Sequence, residues 1–239
     1  MKVRLISATQ PVIEFDKKDS AVAQDLVAFT ARVSNPANQM NQETSERLLK
    51  YLIKHKHWSP FEMVNACIEI ETTRDIAHQI VRHRSFAFQE FSQRYAEPKL
   101  LGDKEGMEDS HFTIREARLQ DKKNRQNSIE SDDIELDAWW YEHQRNVIEA
   151  AKKAYDWAIA NGIAKEQARV VLPEGLTKTR LYMNGSLRSW IHYIELRSAN
   201  GTQKEHMDIA KACAEIIAEL APMTKVVDNP DNSNVVNRV

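Results

Sequence analysis

Residues 79–95 read Gln-Ile-Val-Arg-His-Arg-Ser-Phe-Ala-Phe-Gln-Glu-Phe-Ser-Gln-Arg-Tyr. This stretch gathers three arginines, one histidine, one glutamate and one tyrosine within 17 residues. Where it begins, Ile76, Ile80 and Val81 recur at spacings of four and five, which predicts the apolar face of a helix. After Arg84, aromatic and polar residues alternate instead, so we expect the helix to end there and the chain to become extended.

The polar residues of this stretch have the chemistry of an anion site. On the predicted helix, Gln79, Arg82 and His83 share a second face, because they lie three and four residues apart. Guanidinium groups are planar forks of donors that suit phosphates and other oxyanions. Three of them within 13 positions repel one another, and Glu90 alone does not neutralise them. The alternative is a solvated basic helix end that interacts favourably with the helix dipole. The interleaved aromatic and polar residues favour a binding site.

This stretch resembles the signature of the flavin-dependent thymidylate synthases, Arg-His-Arg-x-x-Ser-x-Asn-Glu-x-Ser-x-Arg-Tyr. Ala87 stands where the family usually has Ser, and Gln89 stands where it has Asn. Both departures lie in the turn between the predicted helix and strand. The other seven of the nine fixed positions match at unchanged spacing: Arg82, His83, Arg84, Glu90, Ser92, Arg94 and Tyr95.

The resemblance covers most of the chain, about residues 1–222, and is weakest between residues 98 and 137. At Met63 the family often has His. The further segments that resemble the family are residues 31–34 (Ala-Arg-Val-Ser), 57–62 (His-Trp-Ser-Pro-Phe-Glu), 168–173 (Ala-Arg-Val-Val-Leu-Pro), 187–190 (Leu-Arg-Ser-Trp) and 195–197 (Glu-Leu-Arg), followed by Gln203 and Glu205.

The resemblance implies a reductive methylation of dUMP to dTMP. Methylenetetrahydrofolate would supply the carbon, and FAD, reduced by NADPH, would supply the hydride. The resemblance also implies a homotetramer with sites at subunit interfaces, and it implies no metal. Arg197 matches the residue thought to activate the uracil by favouring its ionised form, which a guanidinium can do by stabilising negative charge on the ring. The alternative is that Arg197 only ends its helix favourably.

Further site residues follow from the resemblance position by position. Ser186 and His192 stand where other members often have Asn. The residues implied for dUMP are Gln79, Arg82, Glu90, Ser92, Gln93, Arg94, Arg169 and Arg197. The residues implied for FAD are Ser34, His57, Ser59, Arg82, His83, Arg84, Glu90, Ser186, Arg188 and His192.

Composition narrows the function classes. A chain of 239 residues buries a substantial core as one domain or a tight pair. Lys and Arg number 33 against 35 Asp and Glu, and this near-neutral balance argues against a nucleic-acid partner. No apolar run approaches the roughly 20 residues of a membrane span, so we expect no membrane partner. Because the N-terminus lacks a signal-peptide pattern, we expect a cytoplasmic protein.

The two cysteines are expected to be small buried side chains. Cys67 lies in an apolar run, and Cys213 lies among Ala and Ile. Neither neighbourhood is electropositive, so neither favours a thiolate nucleophile. Two cysteines also give no disulfide framework and no metal cluster.

The succession of elements predicts the α+β class, with a mixed sheet flanked by helices. We expect residues 1–222 to form a single domain, with a charged excursion or lid at residues 98–137 outside the core and a loose tail at residues 223–239. Ser20 and Thr44 are expected to precede helices. Strands are predicted at residues 2–9, 61–72 and 178–184, and helices at residues 21–32, 139–160, 164–171, 187–197 and 202–220.

Two other classes of function stay open. The first is a hydrolase whose metal would be held by His55, His57, His78, His83 and Glu62, although the His-x-His spacing is nonspecific. The second is an RNA-binding protein without catalysis, which would stack bases on an aromatic platform. That platform would consist of Arg82, Arg84, Phe86 and Phe88.

Overall fold

A computed structural model describes residues 1–15, 22–102 and 111–222. The strands are β1 Lys2–Ala8, β2 Asn65–Thr73, β3 Ala87–Glu90, β4 Arg118–Gln120, β5 Ser128–Glu130 and β6 Lys178–Ser186. The α-helices are α1 Val22–Ala31, α2 Ser45–Lys54, α3 Arg74–Ile80, α4 Ile134–Ala160, α5 Lys165–Ala168, α6 Leu187–Arg197 and α7 Lys204–Leu220. Short 3-10 helices cover Pro36–Asn38, Ser59–Met63, Pro98–Leu101 and Arg169–Val171.

Four strands form the main sheet in the order β1-β2-β6-β3, and β4 pairs with β5 in a separate hairpin. Helices flank the main sheet, as the α+β class predicts. Every pairing between the described strands is antiparallel, so our expectation of a mixed sheet is wrong. The strand patterns did not reveal this, because pairing direction depends on connections such as the long one between β2 and β6.

The main core lies between one face of the sheet and helices α1, α6 and α7. Alternate residues of β2, Ala66, Ile68 and Ile70, point into it because successive side chains of a strand face opposite ways. Trp190 from α6 is fully buried there, and its indole nitrogen donates to the Ala66 carbonyl at 3.1 Å. Cys213 of α7 is also buried in this core, as predicted.

The other face of β2 carries charge. Arg4 of β1 donates to Glu69 at 2.8 Å, and Arg180 of β6 donates to Glu71. Cys67 shares this polar face and is only partly buried, so the prediction of full burial is wrong for this cysteine. Because Cys67 lies within a run of apolar residues, the sequence did not show that its side chain points to the face of β2 opposite the core.

The residues around Arg84 adopt a turn that Gly185 makes possible. Helix α3 ends at Ile80, so Arg82 and His83 lie beyond it and the predicted helical face with Gln79 is wrong. The chain then turns inward, and Phe86 packs against β6. A Cβ atom at Gly185 would lie 2.4 Å from the Phe86 ring, so only glycine allows this packing. Strand β3 follows, as the alternation predicted.

The described parts of the segment at residues 98–137, which are residues 98–102 and 111–137, are better anchored than we expected, and residues 103–110 lie outside the described residues. Leu101 and Phe112 are buried, so the prediction that this segment lies outside the core is wrong for these two residues. Phe112 packs in a second cluster with Ile148 and Tyr155 of α4. Helix α4 begins five residues earlier than predicted, where the Asp133 carboxylate accepts from the Leu136 amide at 2.9 Å.

Other boundaries differ locally from the predictions. The strand predicted at residues 61–72 begins only at Asn65, because the 3-10 helix Ser59–Met63 precedes it and Pro60 suits the first turn of a helix. The predicted helix at residues 164–171 divides into α5 and a 3-10 helix. The predicted cap Ser20 and the tail at residues 223–239 lie outside the described residues. None of the described helices combines the length and the apolar character that crossing a membrane requires.

Candidate active site

Two residues from the predicted site meet at the end of α6. The Arg197 Nε atom donates to His83 Nε2 at 2.9 Å. An imidazolium has no acceptor, so this contact requires neutral His83 with its proton on Nδ1. Burial, together with the Arg197 charge, lowers the pKa of His83 from 6.5 to about 4.

Gln79 is linked to this pair through His206, whose ring centroid lies 6.2 Å from that of His83. The Gln79 amide is held by His206, which the sequence analysis missed, and by Gln203, which the resemblance named without a role. Gln79 Nε2 donates to Gln203 Oε1 at 2.8 Å, and Gln79 Oε1 lies 3.3 Å from His206 Nδ1. His206 is fully buried, and its Nε2 atom lies 3.2 Å from the Tyr193 hydroxyl. The sequence carried one signal for His206, because it occupies the apolar stripe of α7 together with Ile209, Ala210, Cys213 and Ile217.

Most of the arginines predicted to bind ligands are not paired with an acidic side chain in the described part of the chain. Arg188 is paired with a carboxylate, but five others have no carboxylate partner among the residues that the structure describes: Arg82, Arg84, Arg94, Arg169 and Arg197. Several arginines outside the predicted site are paired with carboxylates: Arg4, Arg74, Arg115, Arg118 and Arg180. Uncompensated guanidinium groups of this kind are ready to receive an anion.

Residues 90–93 combine one engaged carboxylate with one unsatisfied amide. The Glu90 Oε1 atom accepts from Thr179 at 2.8 Å and from Arg74 at 3.3 Å, so Glu90 has a structural ion pair. Ser92 is exposed in the turn that follows β3. The side chain of Gln93 is 3% exposed, and its Nε2 atom has no hydrogen-bond partner among the described residues. A buried donor without a partner is costly, so the Gln93 amide is available to a water molecule, a neighbouring subunit or a ligand.

A second cluster surrounds Glu62. Ser186 donates its hydroxyl to one oxygen of Glu62, and Arg188 Nη1 donates to the other at 2.8 Å. The Ser186 bond, followed by Arg188, lowers the pKa of the Glu62 carboxyl. His192 packs edge-on to Trp58 at 4.5 Å between ring centroids, and burial lowers the pKa of His192. The structure thus brings three predicted FAD residues near one carboxylate, Glu62, to which the sequence analysis had given a role only in the alternative metal site.

The other predicted residues lie at the surface of the isolated chain. Ser34 is exposed after α1, and His57 and Ser59 are exposed after α2. The His57 ring lies 6.2 Å from the Tyr51 ring, measured between centroids. Arg169 is half-buried at the start of its 3-10 helix. Within the described part of the chain, none of these four residues contacts the Arg197–His83 pair.

The two other classes of function gain no support from this geometry. Within residues 1–15, 22–102 and 111–222, no three His, Cys, Asp or Glu side chains are placed to hold a metal ion. Phe86 is buried against Trp190, with 4.8 Å between ring centroids, so it does not offer an open face to a base.

Comparison with known proteins gives the family. The family model described as "Thymidylate synthase complementing protein" matches residues 18–223. A "Probable flavin-dependent thymidylate synthase" of Paramecium bursaria Chlorella virus 1 is 48% identical over 229 residues, which cover 95% of this chain and 99% of that protein. The chain belongs to the flavin-dependent thymidylate synthase family. It is therefore an enzyme of that family.

Further relatives agree with this assignment. The flavin-dependent thymidylate synthase of Synechocystis sp. PCC 6803 is 46% identical over 222 residues, covering 93% of this chain and 96% of that protein. The UMP/dUMP methylase PolB from Streptomyces cacaoi, solved with bound 5-Br dUMP, has the same fold at a TM-score of 0.75. That likeness covers 95% of this chain and 93% of PolB at 23% identity, so it supports the fold alone.

The donor set of this chain fits the flavin that the family name implies. A flavin dinucleotide carries a pyrophosphate, and unpaired guanidinium groups are suited to it. Arg82 and Arg84 are exposed and lack carboxylate partners among the described residues. Neither cysteine is suited to nucleophilic attack, because burial raises the pKa of both the Cys67 and the Cys213 thiol.

Proposed function

We propose that this enzyme carries out the reductive methylation of dUMP to dTMP. Methylenetetrahydrofolate supplies the carbon, and NADPH is the reductant. The observation that carries the proposal is the contact of Arg197 with neutral His83 beside Gln79. Arg197 is a cation without a carboxylate partner among the described residues, and its neighbours are neutral hydrogen-bonding groups. This combination suits an uncharged pyrimidine ring that acquires negative charge.

Arg197 is the catalytic residue in this proposal. Its Nε atom is committed to His83, which fixes the plane of the guanidinium and leaves the terminal nitrogens for the uracil ring. A fixed cation stabilises negative charge that develops on the ring, and so it activates uracil. His83 remains neutral at pH 7 because its pKa is about 4, so it adds no second positive charge beside Arg197.

The dUMP phosphate needs cations, and the pyrimidine needs neutral donors and acceptors. Arg94 and Arg169, which have no carboxylate partner in the described part of the chain, are proposed to hold the phosphate, and Arg82 to assist them. Gln79 and the unsatisfied Gln93 are proposed to bind the nucleoside, together with Ser92. The Glu90 Oε1 atom is bound to Thr179 and Arg74, and Glu90 Oε2, which has no partner among the residues that the structure describes, can accept from the sugar.

FAD is proposed to bind along the second cluster and the exposed loops. The chemistry that bound FAD would supply is hydride transfer, with NADPH as the source of the hydride and the one-carbon unit on the pyrimidine as its acceptor. The chain contributes hydrogen-bond donors and cations to its binding. Glu62 organises Ser186 and Arg188 for this task, beside His192. The remaining proposed FAD residues are Ser34, His57, Ser59, Arg82, His83, Arg84 and Glu90.

A homotetramer with sites at subunit interfaces would complete this site. Helix α4 has 27 residues and displays large apolar side chains to solvent in the isolated chain. Trp139 and Trp157 are each 62% exposed, and Trp140, Tyr141 and Val147 are exposed as well. Such a surface is typical of an interface, because monomers rarely expose contiguous apolar patches of this kind. We propose that residues 1–222 act as one domain of that tetramer.

Turnover by the purified protein tests the proposal. We expect dTMP to form from dUMP when FAD, NADPH and methylenetetrahydrofolate are all present, as measured by chromatography of the nucleotides. Omission of any one of the three should stop dTMP formation. Formation of dTMP without FAD, or no dTMP from a folded tetramer with every component, would contradict the proposed reaction.

A further inference from the structure

A chain of hydrogen bonds joins the proposed substrate residue Gln79 to the β4–β5 hairpin. From Gln79 it passes to Gln203 at 2.8 Å, and from Gln203 Nε2 to Glu205 Oε2 at 3.0 Å. Arg118 of β4 then donates to the Oε1 atom of Glu205, and Arg115 Nε lies 3.9 Å from that oxygen. We call Gln79, Gln203, Glu205 and His206 the amide relay.

Glu205 sets the direction of every hydrogen bond in the relay. An ionised carboxylate only accepts, so Gln203 must turn its NH₂ group towards Glu205. The Gln203 oxygen then faces Gln79, which must present its own NH₂ group. The opposite orientation would place the Gln203 oxygen against the Glu205 carboxylate, with two acceptors about 3 Å apart.

His206 accommodates the same orientation from the other side, through the tautomer that carries its proton on Nδ1. With the Gln79 nitrogen turned to Gln203, its oxygen faces His206 Nδ1 and needs a donor there. His206 can supply the Nδ1 proton while its Nε2 atom accepts from the Tyr193 hydroxyl. Burial, with the charge of Arg197, lowers the pKa of His206 to about 3, so the ring has one proton to place.

The relay leaves Gln79 one N–H group and one oxygen lone pair for a ligand. An amide has two donors and two lone pairs, and Gln203 and His206 each use one. Uracil offers an oxygen acceptor beside a ring N–H donor, whereas cytosine offers an amino donor beside a ring nitrogen acceptor. An amide that can turn over binds both bases, but an amide with a fixed orientation matches only one of them.

We propose that Gln203, Glu205 and His206 are positioning residues that lock the amide of Gln79 and thereby make the site select uracil over cytosine nucleotides. The inference rests on the proposed function, which places the pyrimidine of dUMP against Gln79. It assigns specificity to Glu205, a carboxylate that lies two hydrogen bonds away from the residue that reads the base.

Calorimetric measurement of dUMP and dCMP binding to the FAD-loaded protein tests whether the Gln79 amide is held in one orientation. For the wild-type protein we expect dUMP to bind on the order of ten- to a hundredfold more tightly than dCMP, the discrimination of one good bidentate pair. Glu205→Gln removes the obligatory acceptor while Arg118 retains an oxygen to bind. Both amides can then turn over together, so the preference should fall at least fivefold, chiefly through tighter binding of dCMP.

Exchange of the amide at position 203 with the carboxylate at position 205 should restore the fixed orientation of the Gln79 amide. In the double variant Gln203→Glu with Glu205→Gln, the new amide donates to the new carboxylate, and that carboxylate still accepts from Gln79. The preference for dUMP should return to within about twofold of the wild type. Glu116→Gln is the matched control, because Glu116 is exposed and lies 3.7 Å from the same Arg118 but outside the relay. It should leave the preference unchanged.

The outcomes separate this inference from the proposed function. If folded wild-type protein binds no dUMP, the proposed function fails and the inference fails with it. If the wild type binds dUMP but does not prefer it to dCMP, or if Glu205→Gln keeps the full preference, the inference is overturned and the proposed function stands. A melting temperature for each variant shows whether the protein is folded.

Discussion

Arg197 and His83 are 114 residues apart in the chain, and their side chains meet in a hydrogen bond of 2.9 Å from Nε to Nε2. The contact joins the end of α6 to the turn after α3. It fixes the guanidinium against the imidazole, and it requires the imidazole to be neutral. The chemistry proposed for this enzyme depends on that pairing.

Replacement of Arg197 by Ala should abolish turnover without loss of the fold. Because Arg197 has no carboxylate partner in the described part of the chain, its removal leaves no buried acid uncompensated. We expect kcat to fall by a factor of about 10² to 10³ or more, the usual effect of losing a group that stabilises developing charge. Arg47→Ala, at an exposed position of α2, is the matched control. Full activity of Arg197→Ala would remove Arg197 as the activator.

Stability should fall as the pH drops from about 6.5 to 4. In the unfolded chain, His83 and His206 bind protons with a pKa near 6.5, but in the folded protein their pKa values are about 4 and 3. The unfolded state therefore binds more protons in this window, and acid favours unfolding. Each histidine contributes a slope of about 1.4 kcal/mol per pH unit to the free energy of unfolding.

Urea unfolding at several pH values measures this dependence. Between pH 6 and 4, His206→Asn should reduce the slope of the unfolding free energy against pH by the contribution of one histidine, about 1.4 kcal/mol per pH unit. His55→Asn should leave it unchanged, because His55 is exposed. An identical pH dependence of His206→Asn and the wild type would show that His206 is already protonated in the folded protein.

Gly185→Ala should destabilise the turn that carries His83. The new methyl group would meet the Phe86 ring at 2.4 Å, and Phe86 in turn closes the turn by donating its amide to the His83 carbonyl at 3.2 Å. We expect a loss of about 1–3 kcal/mol in the free energy of unfolding, as overpacking usually costs. Gly175→Ala is the control, since its nearest atom would be 3.9 Å away. Equal stability of both variants would contradict the close packing.

Replacement of both cysteines by Ala should preserve turnover. Burial raises the pKa values of Cys67 and Cys213, so neither is a thiolate at pH 7. The buried Cys213 loses a small group, which should cost about 1 kcal/mol of stability at most. The rate of dTMP formation by the double variant is the measurement. A folded but inactive double variant would point to a thiolate mechanism.

Trp157→Glu should break the assembly. We expect the wild type to sediment with four times the 27.6 kDa mass of the chain and the variant to sediment as a smaller species. The introduced charge would have to be buried without a partner in the interface along α4. Val12→Glu is the control, because Val12 is 100% exposed. A monomeric wild type, or a tetrameric Trp157→Glu variant, would contradict the proposed interface.

Local sequence patterns predicted the helices and strands more accurately than they predicted the contacts between them. The bounds of α6, residues 187–197, were predicted correctly, because a regular apolar stripe begins beside Ser186, which caps the helix. The end of α3 was predicted too late, since Phe86 turns into the core over Gly185, a contact from a distant strand. His206 was missed for the same reason, because its partner Gln79 is 127 residues away.

The most direct measurement is the visible spectrum of the purified protein with added FAD, recorded before and after addition of dUMP. The account predicts that the protein retains FAD through gel filtration and that dUMP changes the flavin spectrum in the wild type. Arg197→Ala should retain FAD but respond more weakly to dUMP. A folded protein that retains no flavin, or a flavin spectrum that dUMP leaves unchanged, would contradict a single site for both ligands.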